Sequence, residues 1–156
     1  MFTIGEYLQN DTFKKLYGKT LKNISGLYKS SELVRFTINE KEEYVLKHIQ
    51  QCCEEVQIEE VIGDPKDIIG YPLILAEEVS QKVEGDKSQT YTFYKLATIK
   101  GYVTIRFLGS STGEYSEKVD FFSVNNDIFK RKSLNDYEKK ILAESLLKEL
   151  INLQKH

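Results

Sequence analysis

TYTFYKLATIKGYVTIRFLG, residues 90–109, decides the fold class. β-Branched and aromatic residues crowd both sides of Lys100-Gly101, and apolar and polar positions alternate, as in two strands of a hairpin. Lys100 and Gly101 serve as a two-residue turn in which glycine is free to take a positive φ. Strand-like runs continue outward from this point. KTLKNISGLY (19–28), ELVRFTIN (32–39) and EYVLKHI (43–49) precede the hairpin, the last two joined by the polar turn Asn39-Glu40-Lys41-Glu42. YPLILAEEVSQKV (71–83) and YSEKVDFFSV (115–124) complete the set, and IGDPKDIIG (62–70) is a turn in which Asp64 caps and Pro65 takes the first position.

Two segments read as helical. FTIGEYLQNDTFKKLY (2–17) places Ile4, Tyr7, Leu8, Phe13 and Leu16 at loose helical intervals and stops at Gly18. LNDYEKKILAESLLKELINLQ (134–154) follows Ser133 as N-cap and carries Leu142, Ala143, Leu146, Leu147, Leu150, Ile151 and Leu153 on one broad side. Docking on the open face of the sheet is the expected use of that stripe; homodimerisation through the helix is the alternative. The expected fold is therefore α+β: about seven mostly antiparallel strands, a short N-terminal helix and an amphipathic C-terminal helix packed on the sheet, in a single domain over 1–156.

Composition narrows the classes. With 40% hydrophobic and 29% charged residues the chain has the balance of a globular protein and not of a disordered one. No apolar run approaches the roughly 18 residues of a membrane span, and MFTIGEYLQND lacks the basic and apolar regions of a secretory signal. The two cysteines are adjacent, which argues against a disulfide scaffold and for a cytoplasmic location. Net charge is −2, unevenly spread: Glu54 to Glu78 holds eight acids and one base, Lys66. No clustered basic face marks direct nucleic-acid binding.

HIQQCCEEV (48–56) is the first candidate for chemistry. On a strand, His48, Gln50, Cys52 and Glu54 share a face, yet four residues of strand separate Cys52 from His48 by ~13 Å. On a helix the two stack one turn apart, as a nucleophile and its base require. Buried structural thiols are the ordinary reading. Zinc needs four ligands and the only other histidine is His156, so neither a metal site nor any cofactor is expected. The second candidate is the Gly109–Gly113 loop, whose Ser110 and Ser111 could hold an anion beside Arg106, although a turn-rich hairpin connection is the plainer account. The third is the acidic stretch, with Glu54, Glu59, Glu77 and Glu78 as a docking face for a basic partner.

Several blocks together resemble a family of small uncharacterised bacteriophage and prophage proteins. His48, Gln50, Cys52, Cys53, Glu54 and Val56 form the first block; Gly63, Asp64, Pro72, Ala76, Glu77 and Glu78 the second. Thr92, Phe93, Tyr94, Leu96, Thr98, Lys100, Gly101, Ile105, Arg106, Gly109, Ser110, Ser111, Gly113, Tyr115, Ser116 and Glu117 form the third. The chain departs from the pattern at Gln51, Phe107, Thr112 and Glu114, and the likeness runs from about residue 18 to 121. It implies a phage or prophage origin and no stated activity. The leading expectation is a non-catalytic cytosolic binding protein that occupies a host protein, such as a defence factor, through the acidic face. The alternatives are a cysteine-dependent enzyme using Cys52 and His48, and a small-anion binder using Arg106 and the 109–113 loop.

Overall fold

The computed structural model describes residues 8–125 and, beyond them, Tyr137, Glu138, Lys140, Ile141, Glu144, Ser145 and Lys148. Nine strands build two antiparallel sheets: β1 (Leu8–Asn10), β2 (Asn23–Ser25), β3 (Leu33–Thr37), β4 (Glu43–Lys47), β5 (Glu55–Gly63), β6 (Leu75–Val83), β7 (Ser88–Thr98), β8 (Gly101–Ser111) and β9 (Asp120–Val124). One sheet has the order β1-β9-β4-β3-β2 and the other β5-β8-β7-β6. The fold is mostly β, which corrects the α+β expectation: among the described residues no helix reaches seven residues. The segment 134–154, expected as an amphipathic helix on the sheet, lies largely outside the described residues, and its described positions are exposed.

Residues 2–7 of the expected N-terminal helix lie outside the described residues, and over 8–17 it gives way for a physical reason. Leu8–Asn10 pairs with β9, Leu8 opposite Val124 and Asn10 opposite Phe122. Asp11 continues the pairing by donating its amide to the Phe121 carbonyl at 2.9 Å. Only the 3-10 turn Phe13–Leu16 remains, without a side-chain cap. A sheet edge that satisfies the backbone outweighs a weak helical spacing. β5 was also missed, because EVQIEEVIG carries charge where an alternating strand should be apolar.

The hairpin forms as read, one residue early. Thr98 pairs with Gly101, so Ile99 and Lys100 make the turn. Gly101 is needed for close approach: a Cβ there would lie 2.7 Å from Asp67 Oδ2. Asp67 belongs to the second 3-10 turn, Pro65–Ile68, capped by Asp64 as expected, and that turn buries Ile68 beside the hairpin.

Alternation in the hairpin sends Tyr94, Leu96, Val103, Ile105 and Phe107 inward, against Val34, Phe36, Tyr44, Leu46 and Phe121 of the other sheet. Phe13 plugs the centre, with its ring 4.7 Å from Tyr94 and 5.4 Å from Phe121. Tyr94 is wholly buried, and its hydroxyl donates to Glu78 Oε1 at 2.9 Å. Burial, with the Glu78 charge beside it, pushes that phenol far up.

Register fixes where the sheets join. β4 leaves the first sheet at Lys47 opposite Asp120, and β5 enters the second at Glu55 opposite Ser110. The two crossings, 48–54 and 112–119, therefore run side by side at one corner. No helix among the described residues is long and apolar enough to cross a membrane.

Candidate functional site

The corner is organised by two buried carboxylates. Glu54 accepts from His48 Nε2 at 2.7 Å, and from the amides of Gln51 and Cys52, each at 2.7 Å. The other ring nitrogen of His48, Nδ1, lies 2.6 Å from the Lys118 carbonyl oxygen. Both ring nitrogens are therefore engaged, one by a backbone carbonyl and the other by the Glu54 carboxylate. Burial works against the charged carboxylate, but the bonds from His48 and the two amides outweigh it and hold Glu54 below its ordinary range. The chain must turn tightly around that carboxylate, so 48–54 is a loop and neither strand nor helix. Gln50 Nε2 closes it by donating to the Cys52 carbonyl at 3.1 Å, and Ser116 N reaches Gln51 Oε1 at 3.1 Å across the two crossings.

This turn determines the fate of the thiols. Cys52 and Cys53 are both free and exposed, contrary to the expectation of buried structural cysteines. The neighbouring Cys52 thiol pushes Cys53 up, and the same thiol pushes the Tyr115 phenol up. His48 cannot act as a base toward Cys52, because both of its nitrogens are committed to the Lys118 carbonyl and Glu54. The geometry required of a cysteine–histidine nucleophile is absent at this pair.

Glu117 is the second carboxylate. It accepts from Ser88 Oγ at 2.6 Å, Thr90 Oγ1 at 2.7 Å and Ser111 Oγ, with Lys82 Nζ at 3.5 Å. Burial raises its pKa, but the three hydroxyls and Lys82 together bring it down to about 2. Gly109 makes room for it, since a Cβ there would stand 2.8 Å from the Glu117 Cβ. Beside the carboxylate runs a groove of about 310 Å³ lined with hydroxyls and two lysines, among them Ser80, Lys82, Thr92, Tyr115 and Lys118.

The remaining candidates scatter. Arg106 lies on the outer face of the second sheet, bridged to Glu59 at 2.7 Å and Glu60 at 2.8 Å, with its guanidinium over the Tyr91 ring. A bulge between Ile58 and Glu60 brings both acids to it. Ser110 shares that face and accepts from Gln89 at 3.1 Å, whereas Ser111 turns inward to Glu117, so the three residues do not converge on an anion. Of the acids, Glu54 is buried, Glu59 is paired to Arg106, and the exposed Glu77 and Glu78 lie on opposite faces of β6. They do not form one patch.

Sequence reasoning quoted Tyr115, Ser116 and Glu117 as a block but gave them no role. The signal was present in the period-two hydroxyls Ser88, Thr90 and Thr92, which point into the sandwich where apolar residues should stand. Among the described residues no cluster of three or more His, Cys, Asp or Glu is placed to hold a metal ion.

No curated protein and no solved structure matches the chain. The stretch that carries the hairpin, both crossings and both carboxylates is instead matched over residues 14–121 by the model of a domain of unknown function, DUF7448, and the chain belongs to that family.

Proposed function

We propose that the chain is a non-catalytic binding protein that docks a basic protein surface through the outer face of β5-β8-β7-β6. The observation that carries this reading is the composition of that face. Ile62, Leu75, Val79 and Tyr102 are exposed on it, around half-buried Tyr91, Phe93 and Leu108. Four carboxylates, Glu55, Glu59, Glu60 and Glu77, surround these residues against two cations, Lys95 and Arg106. An apolar centre with a charged rim is the anatomy of a protein interface. Four strands about 4.8 Å apart, two of them roughly 36 Å and two roughly 30 Å long, cover on the order of 600 Å², near one partner's share of a standard interface.

Saturation of the corner supports the non-catalytic half of the reading. Exposed, unbridged thiols at Cys52 and Cys53 favour a reducing compartment such as the cytosol. That the partner is a host protein met by a phage-borne chain rests on the block pattern alone.

The test replaces Val79 by Asp and Phe93 by Ser, two outer-face positions that leave the core intact. The full chain and this double variant are compared in crosslinking capture from bacterial lysate, with folding checked by thermal melting and self-association by sedimentation. Loss of the captured species in a folded variant supports the proposal. Undiminished capture, or a face occupied by a second copy of the chain, overturns it.

A further inference from the structure

The corner presents one chemical feature that the docking reading does not use. Cys52 and Cys53 stand together at the tip of the 48–54 loop, both exposed. Adjacent thiols are ordinarily free to point apart. Here the backbone of Cys52 is held at both ends: its amide donates to Glu54 Oε1 at 2.7 Å, and its carbonyl accepts from Gln50 Nε2 at 3.1 Å. Gln51 is tied across to Ser116 at 3.1 Å, which brings Tyr115 to the same spot. Two soft donors on consecutive residues therefore face solvent, on a loop whose conformation is set by the buried Glu54 carboxylate and its His48 partner.

We propose that Cys52 and Cys53 form a surface chelating site for thiophilic ligands that take two sulfurs on one centre, trivalent arsenic above all. Sulfur ligands select soft acceptors over oxygen-seeking cations. Two sulfurs on consecutive, exposed residues suit the bent arrangement at trivalent arsenic better than the linear arrangement of a two-coordinate cation. Condensation of an arsenous oxide with the pair balances without an oxidant. Two As–S bonds form, two S–H bonds and the As=O bond break, one water leaves, and arsenic remains trivalent. The second sulfur binds intramolecularly, so its effective concentration far exceeds that of any free thiol.

The probe is phenylarsine oxide, added to the reduced full-length chain and followed by intact mass. Glutathione then competes as a monothiol and dimercaptopropanol as a dithiol. The expected result is one phenylarsenic group per chain that resists glutathione and is released by the dithiol. Cys52→Ser and Cys53→Ser each lose at least about a hundredfold in resistance to glutathione. The same titration on chain unfolded in guanidinium gives weaker binding, because the loop no longer fixes the two sulfurs. An adduct on the wild type as labile as on either serine variant overturns the chelate. Equal affinity in the folded and unfolded chains overturns the role of the fold. Neither outcome touches the outer-face variants, so this site and the docking face succeed or fail separately.

Discussion

Replacing Glu117 by Gln keeps the size of the side chain and removes its charge, which makes it the sharpest probe of the corner. The carboxylate accepts from three hydroxyls and lies 3.5 Å from Lys82 Nζ. A glutamine turns an NH₂ toward at least one of those hydroxyls, which must rotate to accept it and abandon its own bond. A carboxyl brought from 4.5 to about 2 gains, at full value, about 3.4 kcal/mol on folding. The groove beside it admits solvent, and screening reduces that to roughly 1–2 kcal/mol. In a domain of this size such a loss lowers Tm by about 2–8 °C. The pH dependence gives the stricter test. The folded pKa is depressed, so the stabilisation is complete above the unfolded value of 4.5 and disappears as pH falls toward about 2. Urea unfolding of wild type and variant at pH 7, 4 and 3 should give a gap that is constant near neutrality and narrows in the acid limb. A gap unchanged at pH 3, or smaller than about 0.5 kcal/mol at pH 7, refutes the assignment of a charged, hydroxyl-held Glu117.

Other consequences are equally direct. His48→Ala strands the Glu54 carboxylate in a buried site and should cost about 3–5 kcal/mol in chemical denaturation, whereas a surface histidine would cost almost nothing. Phe13→Ala should cost about 3–5 kcal/mol in the same assay, since that ring contacts Phe36, Tyr94 and Phe121 at once; under 1 kcal/mol would show that the first turn does not close the core. Iodoacetamide should alkylate both cysteines in the folded chain at pH 7, no faster than an unfolded control, as read by intact mass; faster labelling would reveal a stabilised thiolate. Gly109→Ala should lower Tm by several degrees, because its Cβ would press on Glu117 at 2.8 Å.

The hairpin was legible because its alternation is strict over both strands: each second side chain from Thr92 to Thr98 and from Val103 to Gly109 is buried. β5 was not, since Glu59 and Glu60 interrupt its pattern at a bulge where both acids pair with Arg106, a residue 47 positions away from Glu59. Leu8–Asn10 became a strand because β9 offers a free edge, a fact that no local window contains. At the site, HIQQCCEEV stands out in the sequence, but neither the strand nor the helix considered for it forms over 48–54. The alternation rule places Glu54 on one face with His48 only if the chain stays extended. Instead the carboxylate draws the Gln51 and Cys52 amides onto itself, and the loop reverses around it. Glu117 escaped notice because its hydroxyl donors come from β7 and β8, between 6 and 29 positions distant, and Lys82 from β6, 35 positions distant.

The two carboxylates explain why this corner needs polar residues at all. A crossing between sheets exposes backbone amides that no strand neighbour can satisfy, and a buried acceptor with several lone pairs satisfies more than one of them at a time. Glu54 does this for the first crossing. Glu117, anchored to hydroxyls on β7 and β8, fixes the second crossing to the sheet it has just left. His48 then links the two, donating to Glu54 on one side and to the Lys118 carbonyl on the other. An apolar replacement would fill the same volume but leave the amides without partners, which is the costlier fault. With those acceptors occupied by the fold, the reactive potential of the corner passes to the groups that the turn pushes outward. These are the paired thiols of Cys52 and Cys53 and the phenol of Tyr115, and their positions are set by carboxylates that need take no part in the chemistry.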